Sequence, residues 1–368
     1  MEFTGEMSTL PPPDIRGMTK PVVTTACAWY HIGIRVIVGG FLVIFGLLGN
    51  SLTLAIVSRM RSKPSSMHML FYLVIADCFI LGIFGPMAVV RPVLDLSGLA
   101  SASHNLHIIG IACLSPVGNV VNLVIILLTV AVTWQRYISV HNPHKAKIYT
   151  SAYASKIIAL SCMVFSLLFH LPNICEFQLR LTQDGQLQMI KAEFAKSRIY
   201  YIVYNLVLYY LITYILPVIA LVMMAGALVK NLCDHKKMTS GQNSASNKAR
   251  EDLTILVIVV AVIFIICQSF NPTRKILMHF FEPYPMHLQC GGSLFYFGPL
   301  YLISYLVNSA CNFLVFLCCA KGFKKKVRNF LFGQSRVGPQ SSVASTSESN
   351  NAPLSHKASN IKIKCEIL

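Results

Sequence analysis

Two ionisable residues interrupt stretches of this chain that otherwise carry almost no charge. Arg136 ends a run, residues 108–135, that contains no Asp, Glu, Lys, Arg or His. Asp77 is the only acid deep inside an apolar stretch, where a carboxylate is costly unless it is partnered or protonated. Residues of this kind can serve as polar switches or ion sites. The alternatives are a plain membrane anchor for Arg136 and a hydrogen-bonded packing role for Asp77. The sequence leaves both roles open for each residue.

No catalytic constellation accompanies these two residues. The sequence has no HExxH or GxSxG motif, and the histidines within apolar stretches are isolated, so packing is the better interpretation of His170. We therefore expect neither an enzyme nor a cofactor. A secondary transporter would show two similar halves, or broken helices with ionisable pairs at mid-membrane, and the sequence shows neither pattern.

The elements that must position Asp77 and Arg136 are membrane-spanning helices. The chain is 55% hydrophobic and 12% charged, with a mean hydropathy of +0.60, which is too apolar for a soluble domain of 368 residues. About 20 apolar residues suffice to cross the hydrocarbon core. Six stretches meet this length, at residues 33–57, 68–90, 108–132, 153–175, 202–229 and 294–318. A seventh candidate, at residues 253–269, is shorter and could run on past Pro272 to Phe281. We therefore expect an all-α fold, a seven-transmembrane helix bundle.

The basic residues predict the orientation of this bundle. With the amino terminus outside, seventeen Lys and Arg fall on the inner side and seven fall in the three outer loops. The seven are Arg91, Arg180, Lys191, Lys196, Arg198, Arg274 and Lys275. Short loops rich in Lys and Arg stay in the cytoplasm. The formal net charge of +17 is then explained by topology and anionic lipid, and not by nucleic-acid binding. We predict a multi-pass plasma-membrane protein with an extracellular amino terminus.

Composition divides the chain into four predicted segments. Residues 1–31 are polar and Pro-rich and form an extracellular segment, and residues 32–319 form the transmembrane domain. Residues 320–333 form a basic segment after the last apolar stretch. Residues 334–368 are rich in Ser, Thr and Asn, a composition that stays disordered.

Four of the twelve cysteines lie near the outer face and are candidates for disulfides. They are Cys27, Cys113, Cys175 and Cys290. An oxidising exterior permits bridges there, and the sequence leaves their pairing open.

Several short motifs occur in a fixed order along the chain. They are GN at residues 49–50, LVIAD at 73–77, WQRY at 134–137 followed by Pro143, Pro217, NSACNFLVF at 308–316, and KKKVRNFL at 324–331. Together they resemble the rhodopsin-like (class A) family of G-protein-coupled receptors, and within it the invertebrate receptors for FMRFamide-type neuropeptides. The resemblance covers about residues 30–335. It implies a receptor that transmits the binding of an extracellular peptide to heterotrimeric G proteins. It also implies that residues 320–333 form a short amphipathic eighth helix.

The resemblance also assigns roles to residues of these motifs. The residues implied in G-protein coupling and switching are Gln135, Arg136, Tyr137, Asn308, Ser309, Asn312 and Phe316. Asn50 and Asp77 are implied in a buried polar network that could hold a sodium ion or waters, and Asn308, Ser309 and Asn312 are implied as further members of it. At the start of the sixth span, residues 250–252 could offer Arg136 a resting partner or form a solvated charged cluster. Phosphate on the tail would suit an arrestin-like partner, and a passive tail is the alternative.

The ligand site is expected among the outer halves of the spans, where polar groups can line an apolar cavity. The candidates on the spans are Asn119, Asn122, Gln268, Tyr301 and Tyr305, and those in the outer loops are Glu176 and Glu193. An Arg-Phe-amide peptide would bring a cation to these acids. The same loops carry seven Lys and Arg, so charge alone does not select a cationic ligand. For each single residue, an interhelical hydrogen bond or an interface role is the alternative.

Several departures from the family pattern leave other functions open. Gln135 replaces an acid and Phe316 replaces a tyrosine. In the sixth span, Gln268 replaces a tryptophan, and the kink proline is shifted to Pro272. The loop at residues 176–199 has no cysteine, so Cys113 cannot form the bridge usual in the family. A chemosensory receptor for a small molecule, or a non-signalling receptor-like membrane protein, are therefore the alternatives to a peptide receptor.

Overall fold

Seven helical spans form the body of the protein. The structure, a computed structural model, describes residues 29–30, 32–59, 65–183, 185–238, 245–280, 292, 294–319 and 321–332. Within these residues, seven helices are long and apolar enough to cross a membrane, which confirms the predicted all-α, seven-transmembrane bundle. In chain order, the first to seventh spans are Ile32–Ser58, Met67–Leu96, Ala100–His141, Ala152–Ile174, Tyr200–Asp234, Glu251–Arg274 and Leu300–Cys319.

We call the side of the bundle that the predicted orientation places outside the cell outer, and the opposite side inner. The spans are α-helical through the middle of the bundle and change winding at several outer ends. The α-helices are Gly39–Ser58, Ser65–Leu96, Ala100–Ile109, Ser115–His141, Pro143–Tyr149, Ala152–Ile174, Leu216–Met238, Ala245–Gln268, Phe270–Phe280, Leu300–Cys319 and Lys321–Leu331. The π-helical segments are Ile32–Val38, Gly110–Leu114, Tyr200–Leu208 and Leu211–Ile215. Such wide turns occur often at functional sites. Here they lie in the outer parts of the first, third and fifth spans.

The sixth span is broken at Ser269, between its two α-helical parts. Pro272 explains the break, because a proline has no N–H to donate to the carbonyl of Gln268 and its ring crowds that carbonyl. The fifth span supports the broken segment, since Tyr214 and Ser269 share a hydrogen bond of 2.9 Å between hydroxyls. The Tyr210 hydroxyl also donates to the carbonyl of Pro272 at 2.6 Å.

Small residues bring the first span close to its neighbours. Gly46 and Gly49 are buried, and a Cβ at Gly46 would lie 2.7 Å from Leu81 Cδ1, while one at Gly49 would collide with the Phe313 ring. Close approach of small residues replaces the hydrophobic effect as a packing force inside lipid. The opposite face of the span carries exposed apolar side chains at the spacing of one helical stripe, namely Ile37, Phe41, Ile44 and Leu48.

A β-hairpin covers part of the outer face, in the loop between the fourth and fifth spans. Its strands, β1 Phe177–Leu181 and β2 Leu187–Lys191, pair antiparallel, and Gly185 supplies a φ of +72° in the turn. Two side chains of the third span hold β2. Asn105 Oδ1 accepts the backbone N–H of Leu187 at 2.9 Å, and His104 Nε2 lies 3.1 Å from the Leu187 carbonyl oxygen.

The inner face carries two further helices. Pro143–Tyr149 lies in the loop after the third span, and Lys321–Leu331 follows the seventh span. In the second of these, Phe323 and Val327 are buried while the lysines between them are exposed. This pattern confirms the predicted amphipathic eighth helix. Of the predicted amino-terminal segment 1–31, only residues 29–30 are described, and the predicted tail 334–368 lies outside the described residues.

Candidate functional site

Arg136 joins the third and sixth spans at the inner end of the bundle. Its side chain is buried, and its Nε and Nη2 atoms donate to Thr254 Oγ1 at 2.8 Å and 2.6 Å. Thr254 lies two residues beyond the charged positions 250–252 that the sequence offered as partners. A buried cation is therefore held by a neutral hydroxyl across the interface of two spans, and these two hydrogen bonds must break if the spans separate there.

Gln135 makes a different connection from its neighbour. Its Nε2 atom donates to the Tyr149 carbonyl at 2.8 Å and to Ser155 Oγ at 3.3 Å. The Trp134 ring meets Tyr149 edge-on at 5.3 Å between centroids. Gln135 thus ties the third span to the inner-loop helix Pro143–Tyr149 and to the fourth span. Tyr137 stacks on His141 one turn further along, with ring centroids 4.3 Å apart.

Asp77 is the centre of a buried polar network that joins the first, second and seventh spans. Asn312 Nδ2 donates to Asp77 Oδ2 at 2.5 Å, and Asn50 Nδ2 donates to the Ser309 carbonyl at 3.0 Å. Ser309 lies beside the Asp77 carboxylate. The structure therefore brings together four of the residues that the resemblance grouped. Asn308 is buried one turn outward on the same span.

Three oxygen atoms of this network could receive an ion or water. Asp77 Oδ1, Asn50 Oδ1 and Ser309 Oγ are buried and have no hydrogen-bond partner among the described residues. Oxygen atoms from a carboxylate, an amide and a hydroxyl are ligands for hard cations and also partners for a buried water. The residues present therefore fit a sodium ion or ordered water at Asp77.

Phe316 takes part in anchoring the eighth helix. Its side chain is buried, and its ring centroid lies 5.5 Å from that of Phe323. Arg59 adds a second contact, since its guanidinium carbon lies 5.0 Å from the centroid of the Phe330 ring. An aromatic ring without a hydroxyl therefore stands at this position of the seventh-span motif, and it packs against the helix that follows.

The predicted pocket residues Asn122 and Gln268 meet inside the bundle. Both side chains are buried, and Gln268 Nε2 donates to Asn122 Oδ1 at 2.8 Å. This is a second polar link between the third and sixth spans, outward of Arg136 and next to the break at Ser269. Tyr305 is also buried and stacks on Phe84, with ring centroids 5.3 Å apart and an interplanar angle of 16°.

Asn119 and Glu176 belong to a chain of polar contacts near the outer face. Asn119 Nδ2 donates to Asn173 Oδ1 at 3.1 Å, and Asn173 Nδ2 donates to Glu176 Oε2 at 3.0 Å. The other carboxylate oxygen of Glu176 lies 3.7 Å from Lys191 Nζ, and the residue is only 7% exposed. Both oxygens of this acid therefore already have partners in the chain.

Glu193, the second predicted outer acid, lies in the short 3₁₀ helix Glu193–Lys196. Its carboxylate is exposed and pairs with Lys196 at 2.6 Å. Tyr301, by contrast, is half-buried and has a cation over its ring, because Arg274 Cζ lies 4.5 Å from the ring centroid. The sequence placed Arg274 among loop charges and did not connect it with Tyr301.

The outer cysteines have no described bridge. Cys113 and Cys175 are exposed free thiols, and Cys27 and Cys290 lie outside the described residues. The contacts of Asn105 and His104 with β2 tether the outer hairpin to the third span without sulfur. The sequence analysis did not predict these contacts with β2. It also did not predict Thr254 as the partner of Arg136 or Asn173 as the partner of Asn119. Each is an ordinary polar residue whose partner is distant in sequence.

The chain resembles known receptors along most of its length. Residues 38–334 match the family described as "Serpentine type 7TM GPCR chemoreceptor Srw". The FMRFamide peptide receptor frpr-18 of Caenorhabditis elegans is 21% identical over 329 residues, which cover 88% of this chain and 74% of that receptor. The FMRFamide receptor of Drosophila melanogaster is 23% identical over 327 residues, covering 86% of this chain and 58% of the fly protein. These similarities confirm the resemblance predicted from the motifs.

Proposed function

Because this chain belongs to the Srw family of serpentine seven-transmembrane G-protein-coupled receptors, we propose that it transmits the binding of an extracellular amidated neuropeptide to a heterotrimeric G protein. In this proposal the protein lies in the plasma membrane with its amino terminus outside. The ligand enters the outer half of the bundle, and the G protein meets the inner face. The phosphorylated tail is a further proposed contact, for an arrestin-like partner.

The observation that carries the proposal is the pair of hydrogen bonds between Arg136 and Thr254. A hydrogen bond to a charged group contributes about 1.5–3 kcal/mol. The two bonds therefore stabilise a bundle that is closed at its inner end. A G protein that offers acceptors to Arg136 would compensate for their loss, and binding would then favour a state in which the third and sixth spans have separated.

The ligand signal has a physical path along the sixth span. Gln268 bonds to Asn122 at the floor of the proposed pocket, and Thr254 bonds to Arg136 at the inner end. The two positions lie on one uninterrupted helix, Ala245–Gln268, about 21 Å apart at the α-helical rise. A ligand that displaces Gln268 moves a rigid element whose other end carries Thr254. The break at Ser269 lets the outer part of the span follow the ligand separately.

The peptide class of ligand is supported by the names of two relatives, both FMRFamide receptors that align with most of this chain. A chemosensory role for a small molecule is the second candidate. It is favoured by the name of the matching family and by the amide pair Gln268–Asn122, which offers a polar floor to a compact ligand. We also propose that a sodium ion or water at Asp77 takes part in the switch, whether the ligand is a peptide or a small molecule.

The test is G-protein activation in cells that display the full chain, challenged with a panel of amidated peptides including Phe-Met-Arg-Phe-amide. We expect a response that Arg136→Ala abolishes at equal surface display. Lys147→Ala, which removes an exposed cation of the inner loop, is the matched control and is expected to retain the response. Silence of the displayed parent receptor across the panel would contradict the peptide assignment. A response that survives Arg136→Ala would contradict the switch.

A further inference from the structure

Three arginines from three different spans gather in the outer half of the bundle. They are Arg35 of the first span, Arg91 of the second and Arg274 of the sixth, and we call them the outer arginine cluster. Tyr301 of the seventh span lies among them. Arg274 sits over its ring at 4.5 Å, and Arg35 is in electrostatic range of both Tyr301 and Arg91. Four spans therefore contribute to one basic site.

Helical periodicity shows that Arg35 and Arg91 face the interior. One turn further inward, Gly39 approaches the seventh and second spans, since a Cβ there would lie 3.3 Å from Ile303 Cδ1 and 3.7 Å from Ala88 Cβ. Arg35 precedes Gly39 by four residues and Arg91 follows Ala88 by three, so each shares the face of that contact. The Nε atoms of both arginines are buried. Neither residue has the position of a lipid-facing anchor.

The described residues supply little negative charge at this site. Asp95 is in electrostatic range of Arg35, but it is exposed. Among the described residues, no carboxylate lies within 4.0 Å of the Arg35 or Arg91 guanidinium, and neither Nε atom has a hydrogen-bond partner. His107 of the third span lies in range of both arginines and offers no negative charge.

A buried guanidinium nitrogen without an acceptor is costly, as at Nε of Arg35 and of Arg91, and each of these two guanidinium groups presents a planar fork of donors that matches a carboxylate. Two of the outer acids, Glu176 and Glu193, already pair with Lys191 and Lys196. Within the described part of the outer half, the charged groups with a buried atom that lacks a hydrogen-bond partner are positive.

We propose that the outer arginine cluster binds a carboxylate of the ligand. In an amidated peptide this group must come from an Asp or Glu side chain, because the terminal amide carries no charge. In a small-molecule ligand it would be the acid group itself. The peptide form of the proposal rests on the function proposed above, whereas the small-acid form does not.

The experiment compares two peptides on the displayed full chain, Glu-Gly-Phe-Met-Arg-Phe-amide and its Gln-Gly counterpart, together with butyrate, succinate, decanoate and benzoate. Each probe is applied to the parent receptor and to Arg35→Gln, Arg91→Gln and the double variant. Arg180→Gln, at an exposed arginine of β1, is the matched control. An amino-terminal epitope reports surface display. Arg91→Lys, which keeps the charge, replaces the double variant if that variant does not reach the surface.

We expect the Glu peptide to act at a concentration about 10- to 100-fold lower than the Gln peptide. The double variant should remove this preference, Arg91→Lys should reduce it by losing the planar fork, and Arg180→Gln should keep it. Equal potency of the two peptides on the parent receptor, or a preference that survives the double variant, would contradict carboxylate binding by the outer arginine cluster. Neither result would contradict the proposed peptide function.

The small acids separate the two proposals. A response to a carboxylate that the double variant loses, together with silence toward every peptide, would support the cluster and refute the peptide function. A carboxylate response that is unchanged in the double variant would overturn the cluster. Silence of the displayed receptor toward both peptides and all four acids would overturn both proposals.

Discussion

The arginine at the inner end of the bundle and those in its outer half differ in how the chain meets their charge. Arg136 has both a buried position and a partner, since Thr254 accepts two of its N–H groups. Arg35 and Arg91 have buried Nε atoms that no described residue accepts from. Arg136 can hold the third and sixth spans together until its hydrogen bonds to Thr254 break, and we call this contact the latch. Arginines whose buried Nε atoms lack an acceptor are suited to binding a partner from outside the chain.

The largest effects on G-protein activation are expected from replacing one arginine at the inner end of the bundle and one in its outer half. Arg136→Gln should abolish the maximal G-protein response, because no cation remains for the G protein to engage. Arg91→Gln should leave the maximal response intact and lower ligand potency about tenfold, the cost of one charge-assisted contact. Complete concentration–response curves at matched surface display separate the two effects.

Similar concentration–response curves for Arg136→Gln and Arg91→Gln would contradict the distinction between the inner and outer arginines. A reduced maximum in both would place Arg91 in the switch. A pure potency shift in both would remove Arg136 from it. Lys147→Ala serves as the control for the loss of one inner positive charge, and its curve is expected to match that of the parent receptor.

An intermediate effect is expected between the two regions, at the buried pair Asn122 and Gln268. Gln268→Leu leaves Asn122 Oδ1 buried without its donor, which costs about 1–3 kcal/mol of stability. Replacing both residues by Leu removes the unsatisfied atom as well as the bond. The double variant should therefore lose less than the sum of the two single variants. Thermal unfolding of the purified receptor in detergent measures all three, and strict additivity would show that the bond does not couple the spans.

The smallest effect is expected at Gln135, beside Arg136 in the sequence but facing the inner loop. Gln135→Leu removes the hydrogen bonds to Tyr149 and Ser155, a change of about 1 kcal/mol. Amide hydrogen exchange in Pro143–Tyr149 should accelerate roughly fivefold at that cost, with exchange in the seventh span unchanged. Equal protection in variant and parent would indicate that the edge-on packing of Trp134 on Tyr149 suffices to hold the helix.

Much of the fold was predictable because the length of an apolar stretch is a local property. The seven spans follow from hydropathy and apolar length, and the amphipathic helix ending at Leu331 was implied by the family resemblance. The hairpin β1–β2 was not predicted, since it depends on Asn105 and His104 of a different element. Its strands are short and mostly exposed, so they leave no strong alternating pattern in the sequence.

The candidate site was predictable in part for a similar reason. The resemblance grouped Asp77 with Asn312, and the structure joins them directly. The resemblance did not identify Thr254 as the partner of Arg136. A threonine in an apolar stretch has no distinguishing local pattern, and its partner depends on how the third span packs against the sixth. Arg91 and Arg274 were counted as loop charges, since burial of a cation depends on neighbours from other spans and not on its own segment.

The most direct measurement is ligand-free G-protein activation by Thr254→Val in cells, with Thr254→Ser as the matched control. Valine keeps the shape of threonine but removes the acceptor, so the closed state loses about 1.5–3 kcal/mol relative to the open one. Ligand-free activity is expected to rise several-fold in Thr254→Val and to stay at the parent level in Thr254→Ser. Unchanged activity in Thr254→Val, at equal surface display and with signalling otherwise intact, would contradict the latch between Arg136 and Thr254.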